Sequence, residues 1–226
     1  MKIGILGGLS YQSTIYYYKE INEMYYKIFK SFPEIIINSI DMEKFNKLVF
    51  SGDIEGVKVL LLNSINLFKK VEVEIVLISS NTPHFIFEEI KDKFKVPVIS
   101  IVEVIYNNVS SLGLKKVLLL GTRLTMEDGF YQRYFSERGI EIIIPEPLDR
   151  EYIQAKLFNE LVKGVISEET RGEFYKIIKD NLNTKIEGVI LGCTEIPLLI
   201  SEPRFKLEFF DSGSLHCKEL IKRINS

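Results

Sequence analysis

"VEIVLISSNTPHFIF", residues 73–87, is the stretch whose reading decides the fold. Its first half is apolar and rich in β-branched residues, as expected of a strand buried on both faces. The run stops at Ser79-Ser80-Asn81-Thr82, and Pro83 then suits the first turn of a helix, with Thr82 as its expected N-cap. "EGVILGCTEIPLLI", residues 187–200, repeats the arrangement, with Cys193 at the junction and Pro197 in the helix that follows.

Working outward, similar runs rich in Ile, Val and Leu fall at 2–7, 34–39, 74–79, 97–101, 115–120, 140–144 and 187–192, with a weaker one at 206–210. Helical patterns separate them at roughly 12–30, 52–71, 83–93, 102–111, 126–138, 150–182 (broken near Gly164–Ser167) and 213–225. Strand–helix alternation throughout predicts an α/β fold with mainly parallel sheets, apolar on both faces and flanked by helices. The halves also repeat: Gly7 to Ser80 is 73 positions and Gly121 to Cys193 is 72. Agreement of strand, junction and helix favours duplication over chance resemblance of α/β units. The expected organisation is two pseudo-symmetric domains, residues 1–100 with 211–226 and residues 101–210. Ligands of parallel sheets bind beyond the carboxyl ends of the strands, so the predicted site is a cleft between the domains. Gly7-Gly8, Ser80-Asn81, Gly121-Thr122 and Cys193-Thr194 would line it.

Composition narrows the class. The 29 basic residues are scattered among 31 acidic ones, which gives a net charge of −2 and no basic stripe for nucleic acid. No apolar run is long enough to cross a bilayer, and "MKIGILGGLS" reads as a buried first strand rather than a signal peptide. Two cysteines without a CxxC argue against a disulfide framework or a zinc site, so a cytoplasmic protein is expected.

The junctions carry the chemistry. At a helix start, Cys193 would meet backbone N–H groups and the positive end of the dipole, both of which favour thiolate. An inert buried cysteine is the plainer reading, and Cys217 is read that way. Capping accounts for part of Ser79–Thr82 but not for four polar residues in succession. Asn81 and Thr82 beside helical N–H groups suit a carboxylate. His84 is either a helix-surface residue or a proton donor facing the cleft. Gly7-Gly8-Leu9-Ser10 is not a dinucleotide fingerprint; it reads as a close turn with Ser13 or Thr14 at a helix start. Asp41 and Glu43 read as a solvated loop.

The segments "IGILGGLSYQSTIYYYKEIN", "SNTPH", "LLGTRLTMEDGFY", "ELVKG", "LGCTEIPLL" and "DSGSLHCKEL" together resemble the aspartate/glutamate racemase family, especially its aspartate racemase branch. The likeness runs from the first strand to the last helix. It implies no cofactor and no metal, a homodimer, and racemisation by two thiols on opposite faces of the substrate Cα. One thiol is Cys193; where the family usually has the other, this chain has Ser80. By the same resemblance Asn81, Thr82 and Thr194 hold the α-carboxylate, and Lys163 anchors the side-chain carboxylate. Thr122, Arg123, Gly8 and Ser10 complete the substrate-binding set. No arginine follows the second strand in "NSIDMEK", where some aspartate racemases place one, which leaves aspartate, glutamate and other amino acids open as substrate.

An alcohol can give up a proton but hardly serves as a resting base at neutral pH, whereas free cysteine ionises near a pKa of about 8.5. The expectation is therefore asymmetry, with proton abstraction at Cys193 from one enantiomer, by resemblance the L-form. Two other readings stay open: an amino-acid-binding protein of racemase fold that has lost its chemistry, and a decarboxylase of malonate-like diacids that needs one thiol.

Overall fold

A computed structural model describes residues 1–200 and 204–226. The chain divides into two compact units, Met1–Ile101 with His216–Ser226, and Val102–Leu215.

The first unit is built on β1 (Lys2–Gly7), β2 (Glu34–Ser39), β3 (Ile75–Ile78) and β4 (Val98–Ile99), all parallel, in the order β2-β1-β3-β4. Helices α1 (Tyr11–Phe29), α2 (Met42–Phe50), α3 (Ile54–Lys70) and the single turn α4 (Phe87–Ile90) connect them. The second unit opens with α5, which begins at Ile101 and ends at Ser111. Its strands β5 (Lys116–Gly121), β6 (Glu141–Ile143), β7 (Gly188–Gly192) and β8 (Glu208–Asp211) lie parallel in the order β6-β5-β7-β8. Helices α6 (Arg123–Glu127), α7 (Phe130–Ser136), α8 (Pro147–Asn159), α9 (Glu168–Asp180), α10 (Ile196–Leu199) and α11 (Ser212–Asn225) complete the fold. Each unit thus repeats one strand order around two central strands.

Those central strands form the core. Ile3, Ile5 and Leu6 of β1, Val117–Leu120 of β5 and Val189 and Ile190 of β7 have no solvent exposure. Each such side chain contributes about 1.5–3 kcal/mol by leaving water. The edge strands depart from expectation. β2 and β6 contain no buried position, whereas the opposite edges β4 and β8 each keep one, Ile99 and Phe210.

The helices differ in detail too. The 52–71 pattern is α3 alone, and α2 precedes it with Asp41 as N-cap, its Oδ1 accepting from the N–H groups of Glu43 and Lys44. Asp41 is a cap, not loose loop. The 126–138 pattern splits into α6 and α7 at Gly129, whose φ of +91° reverses the backbone. The 83–93 pattern is a 3-10 turn (Thr82–Ile86), α4 and a second 3-10 turn (Lys91–Lys93) in succession.

Candidate active site

Register shows which residues are equivalent in the two units. β1 pairs with β3 through Leu6 and Ile78, so the next step sets Gly7 beside Ser79. β5 pairs with β7 through Gly121 and Gly192. Ser80 and Cys193 therefore hold the same place, one residue past the partner of a strand-end glycine. In each unit a threonine from the following helix packs on that glycine. A Cβ on Gly7 would meet Thr14 at 2.5 Å, and one on Gly121 would meet Thr125 at 3.1 Å.

At the first junction the hydrogen bonds run inward from α1. The Ser79 N–H and hydroxyl both donate to the Leu6 carbonyl, and the Ser13 hydroxyl donates to the Ser79 carbonyl. Ser80 turns tightly, its N–H reaching the Ile78 carbonyl at 2.8 Å. Its carbonyl accepts from His84 Nδ1 at 3.1 Å. Both backbone groups of Ser80 are thus engaged, while its half-buried hydroxyl has no partner among the described residues. Asn81, only 3% exposed, and the half-buried Thr82 follow directly.

Two expectations fail here. The cap position belongs to Asn81, not Thr82, and no side chain caps the turn. The cause is the 3-10 geometry, which puts Asn81 itself in helical conformation and lets its carbonyl accept from the His84 N–H. His84 is not on the helix surface, and its ring bonds to backbone groups instead of standing as a proton donor to a cleft. It is 3% exposed, with both ring nitrogens hydrogen-bonded.

The second junction corrects a further expectation. α10 is a single turn that starts three residues after Cys193, too short for a strong dipole. The Cys193 thiol instead donates to Glu195 Oε2 at 2.9 Å, and the Thr194 hydroxyl donates to the same oxygen at 2.9 Å. Burial and the Glu195 carboxylate push the thiol pKa well above its usual value, against the N–H groups of Glu195 and Thr194, which favour thiolate. At rest Cys193 is a protonated donor. Glu195, 3% exposed, is a candidate that sequence reasoning left as a mere polar neighbour of Cys193. Its signal was a carboxylate two positions beyond a junction cysteine.

The remaining candidates separate. Gly8 is needed for its backbone, with φ +87° and no room for a Cβ, which would sit 2.1 Å from the Ile40 carbonyl oxygen. Its N–H donates to Thr14 Oγ1 at 2.9 Å. Ser10 is the N-cap of α1, its Oγ accepting from the Ser13 N–H at 3.0 Å. Thr122, next to Cys193 across β5 and β7, caps α6 through its bond from the Thr125 N–H. Arg123 does not reach this junction. Its side chain is 60% exposed and bonds to Glu127 at 3.0 Å, because the first turn of α6 directs it to that i,i+4 partner. Lys163 is the exposed last residue of a 3-10 turn (Leu161–Lys163), and its ammonium has no partner among the described residues. Cys217 is fully buried in α11, as its core reading required. Among the described residues no three His, Cys, Asp or Glu side chains gather to hold a metal ion. Among them, too, no helix is long and apolar enough to cross a membrane.

The family described as "Asp/Glu/Hydantoin racemase" matches residues 6–220. The chain belongs to this racemase family. In structure it is similar to an Yersinia pestis protein proposed as an Asp/Glu racemase, with TM-score 0.91, 32% identity and coverage of 100% of this chain and 99% of that one. An aspartate racemase homologue from Pyrococcus horikoshii OT3 aligns with TM-score 0.85 and 34% identity, over 100% and 99% of the two chains. The broad specificity amino-acid racemase RacX of Bacillus subtilis is 22% identical over 97% of this chain and 96% of its own length. The two parallel four-stranded sheets with their helices are the α/β architecture of these racemases. Membership sets the enzyme class as racemase, an isomerase.

Proposed function

We propose that this chain is a cofactor-independent racemase of aspartate or glutamate that works through Cys193 on one face of the substrate Cα and Ser80 on the other. One observation carries the reading. Register assigns Ser80 and Cys193 the same position in two repeats, and each presents a side chain able to exchange a proton. The names of the relatives agree with an amino-acid substrate.

In the first half-reaction Cys193 sulfur takes the α-proton while the thiol's own proton passes to Glu195 Oε2, and the C–H electron pair delocalises into the substrate carboxylate. The 2.9 Å contact makes that transfer direct, so the raised thiol pKa is compatible with catalysis. In the second half-reaction the Ser80 hydroxyl gives its proton to Cα from the opposite face and regains one from water, and the hydroxide so formed is neutralised by the proton that Glu195 releases to solvent. Asn81, Thr82 and Thr194 bind the α-carboxylate, and Lys163, whose ammonium is uncommitted, takes the side-chain carboxylate. Arg123 is left out of this scheme.

The equilibrium constant between enantiomers is one, so racemisation in the two directions has equal kcat/KM. Exchange with solvent is not bound by that equality. The L-enantiomer can lose and regain its proton at Cys193 without changing hand, whereas the D-enantiomer must give its proton to Ser80. A panel of amino acids in D2O without added cofactor, followed by loss of the α-proton NMR signal, tests the reading. Aspartate or glutamate should exchange. Thermal stabilisation by aspartate with no exchange would make the chain a binding protein, and carbon dioxide release from malonate-like diacids would make it a decarboxylase. We also read the chain as a homodimer. α1 supports this, since Tyr11, Ile15 and Tyr18 on one side of it are 60, 56 and 48% exposed.

A further inference from the structure

The chain has two histidines, and both are buried in the first unit, outside the proton transfers described above. Their hydrogen bonds fix their tautomers. A backbone N–H can only donate, and the Ile101 N–H points at His84 Nε2 at 3.3 Å. His84 therefore carries its proton on Nδ1 and gives it to the Ser80 carbonyl at 3.1 Å. A carbonyl can only accept, and the Ile99 oxygen lies 3.0 Å from His216 Nε2. His216 is then the opposite tautomer, and its Nδ1 accepts the hydroxyl of Tyr17 at 2.9 Å. The two rings meet edge to face, with centroids 6.3 Å apart. Together they grip residues 99–101, where β4 passes into α5, and connect that segment to α1 on one side and to Ser80 on the other.

We propose that His84 is a positioning residue for Ser80. It clamps the Ser80 carbonyl from behind, and His216 with Tyr17 holds in place the segment against which His84 is braced. This inference rests on the reading of Ser80 as the second proton-transfer group. Ser80 needs such a clamp because its residue forms a tight turn after β3 and no side chain caps the turn that follows. With both nitrogens of each ring committed, neither imidazole is available as the reaction's base. Among the described residues the groups facing the pair are Tyr17 from α1 and Arg223 from α11, and no carboxylate is hydrogen-bonded to either ring. Both rings are accordingly neutral.

Replacement by the two amides separates this role from a structural one. The amide of His84→Asn reaches the Nδ1 position and keeps the bond to Ser80. That of His84→Gln reaches the Nε2 position and keeps only the bond from Ile101. With L-aspartate in D2O, deuterium incorporation into unconverted L-aspartate reports the Cys193 face, and appearance of D-aspartate reports both faces. His84→Gln should lower D-aspartate formation by roughly tenfold, the worth of one hydrogen bond, with incorporation into L-aspartate unchanged. His84→Asn should stay near the unsubstituted protein in both. An equal fall in both readouts, or equal behaviour of the two variants, would overturn the positioning role. A second measurement needs no variant. Long-range 1H–15N NMR of the unsubstituted protein should show His84 protonated on Nδ1 and His216 on Nε2, and a His84 protonated on Nε2 would overturn the clamp. If the unsubstituted protein exchanges no amino acid at all, the racemase reading fails instead, and the NMR measurement still decides whether the clamp exists.

Discussion

Acid should unfold this protein through its two histidines. Desolvation lowers the His84 pKa from 6.5 to about 4, and desolvation followed by the neighbouring His84 lowers that of His216 to about 3. Below pH 6.5 the unfolded chain therefore binds protons that the folded chain refuses. Stability contributed by the neutral rings is complete above that pH and falls as pH drops, with the loss continuing to about pH 4 for His84 and pH 3 for His216. Each histidine costs about 1.4 kcal/mol per pH unit inside its window, so the pair costs on the order of 5 kcal/mol between pH 7 and pH 4.5. A domain of this kind has only about 5–15 kcal/mol in hand. Urea unfolding followed by circular dichroism across that range should show the fall as a steep drop in midpoint. His216→Gln keeps a donor for the Ile99 carbonyl and removes one titrating group, so it should roughly halve the slope. A midpoint that stays flat from pH 7 to pH 4.5 would mean that the rings charge within the folded protein, and the tautomer assignment would be wrong.

Two other expectations follow from the junctions. Glu195→Gln removes the charge that helps to hold Cys193 protonated, so thiolate should appear at lower pH in an ultraviolet titration. Racemisation should nonetheless fall by about 10²-fold or more, because the acceptor for the thiol proton is gone. Gly8→Ala should cost at least about 2 kcal/mol in thermal or urea unfolding, since the residue has positive φ and its Cβ would strike the Ile40 backbone. A variant as stable as the parent would show that the turn after β1 can move.

The strands were legible because the central ones are continuous apolar runs, and "VLISS" and "VILGC" advertise parallel strands that end at polar junctions. What sequence did not convey was the position of each strand in its sheet. "EIIINS" is as apolar as "KIGILG", yet β2 is an edge and β1 is central, and only the order β2-β1-β3-β4 decides that. The break at Gly129 was hidden because helix-forming residues lie on both sides of it, "RLTME" before and "FYQRYF" after, and a lone glycine in such a pattern does not by itself show a reversal. Ser80 and Cys193 were paired in sequence because duplication aligns them, and strand register gives them equivalent positions. The Glu195 contact was not legible, because whether a neighbouring carboxylate turns toward a thiol or toward water depends on a one-turn helix that propensity cannot place. His84 misled for a related reason. A histidine four residues past a junction has the same sequence whether it faces solvent or bonds backwards to the carbonyl of Ser80.

The central claim is that two chemically different groups, a thiol and an alcohol, serve the two faces of one substrate. It is tested most directly by following α-deuterium incorporation from separate L- and D-aspartate in D2O, with the unsubstituted protein, Cys193→Ala and Ser80→Cys. The account predicts faster exchange from the L-enantiomer, none from either in Cys193→Ala, and a gain for the D-enantiomer in Ser80→Cys. Equal exchange from both enantiomers in the unsubstituted protein, or exchange that survives Cys193→Ala, would contradict it.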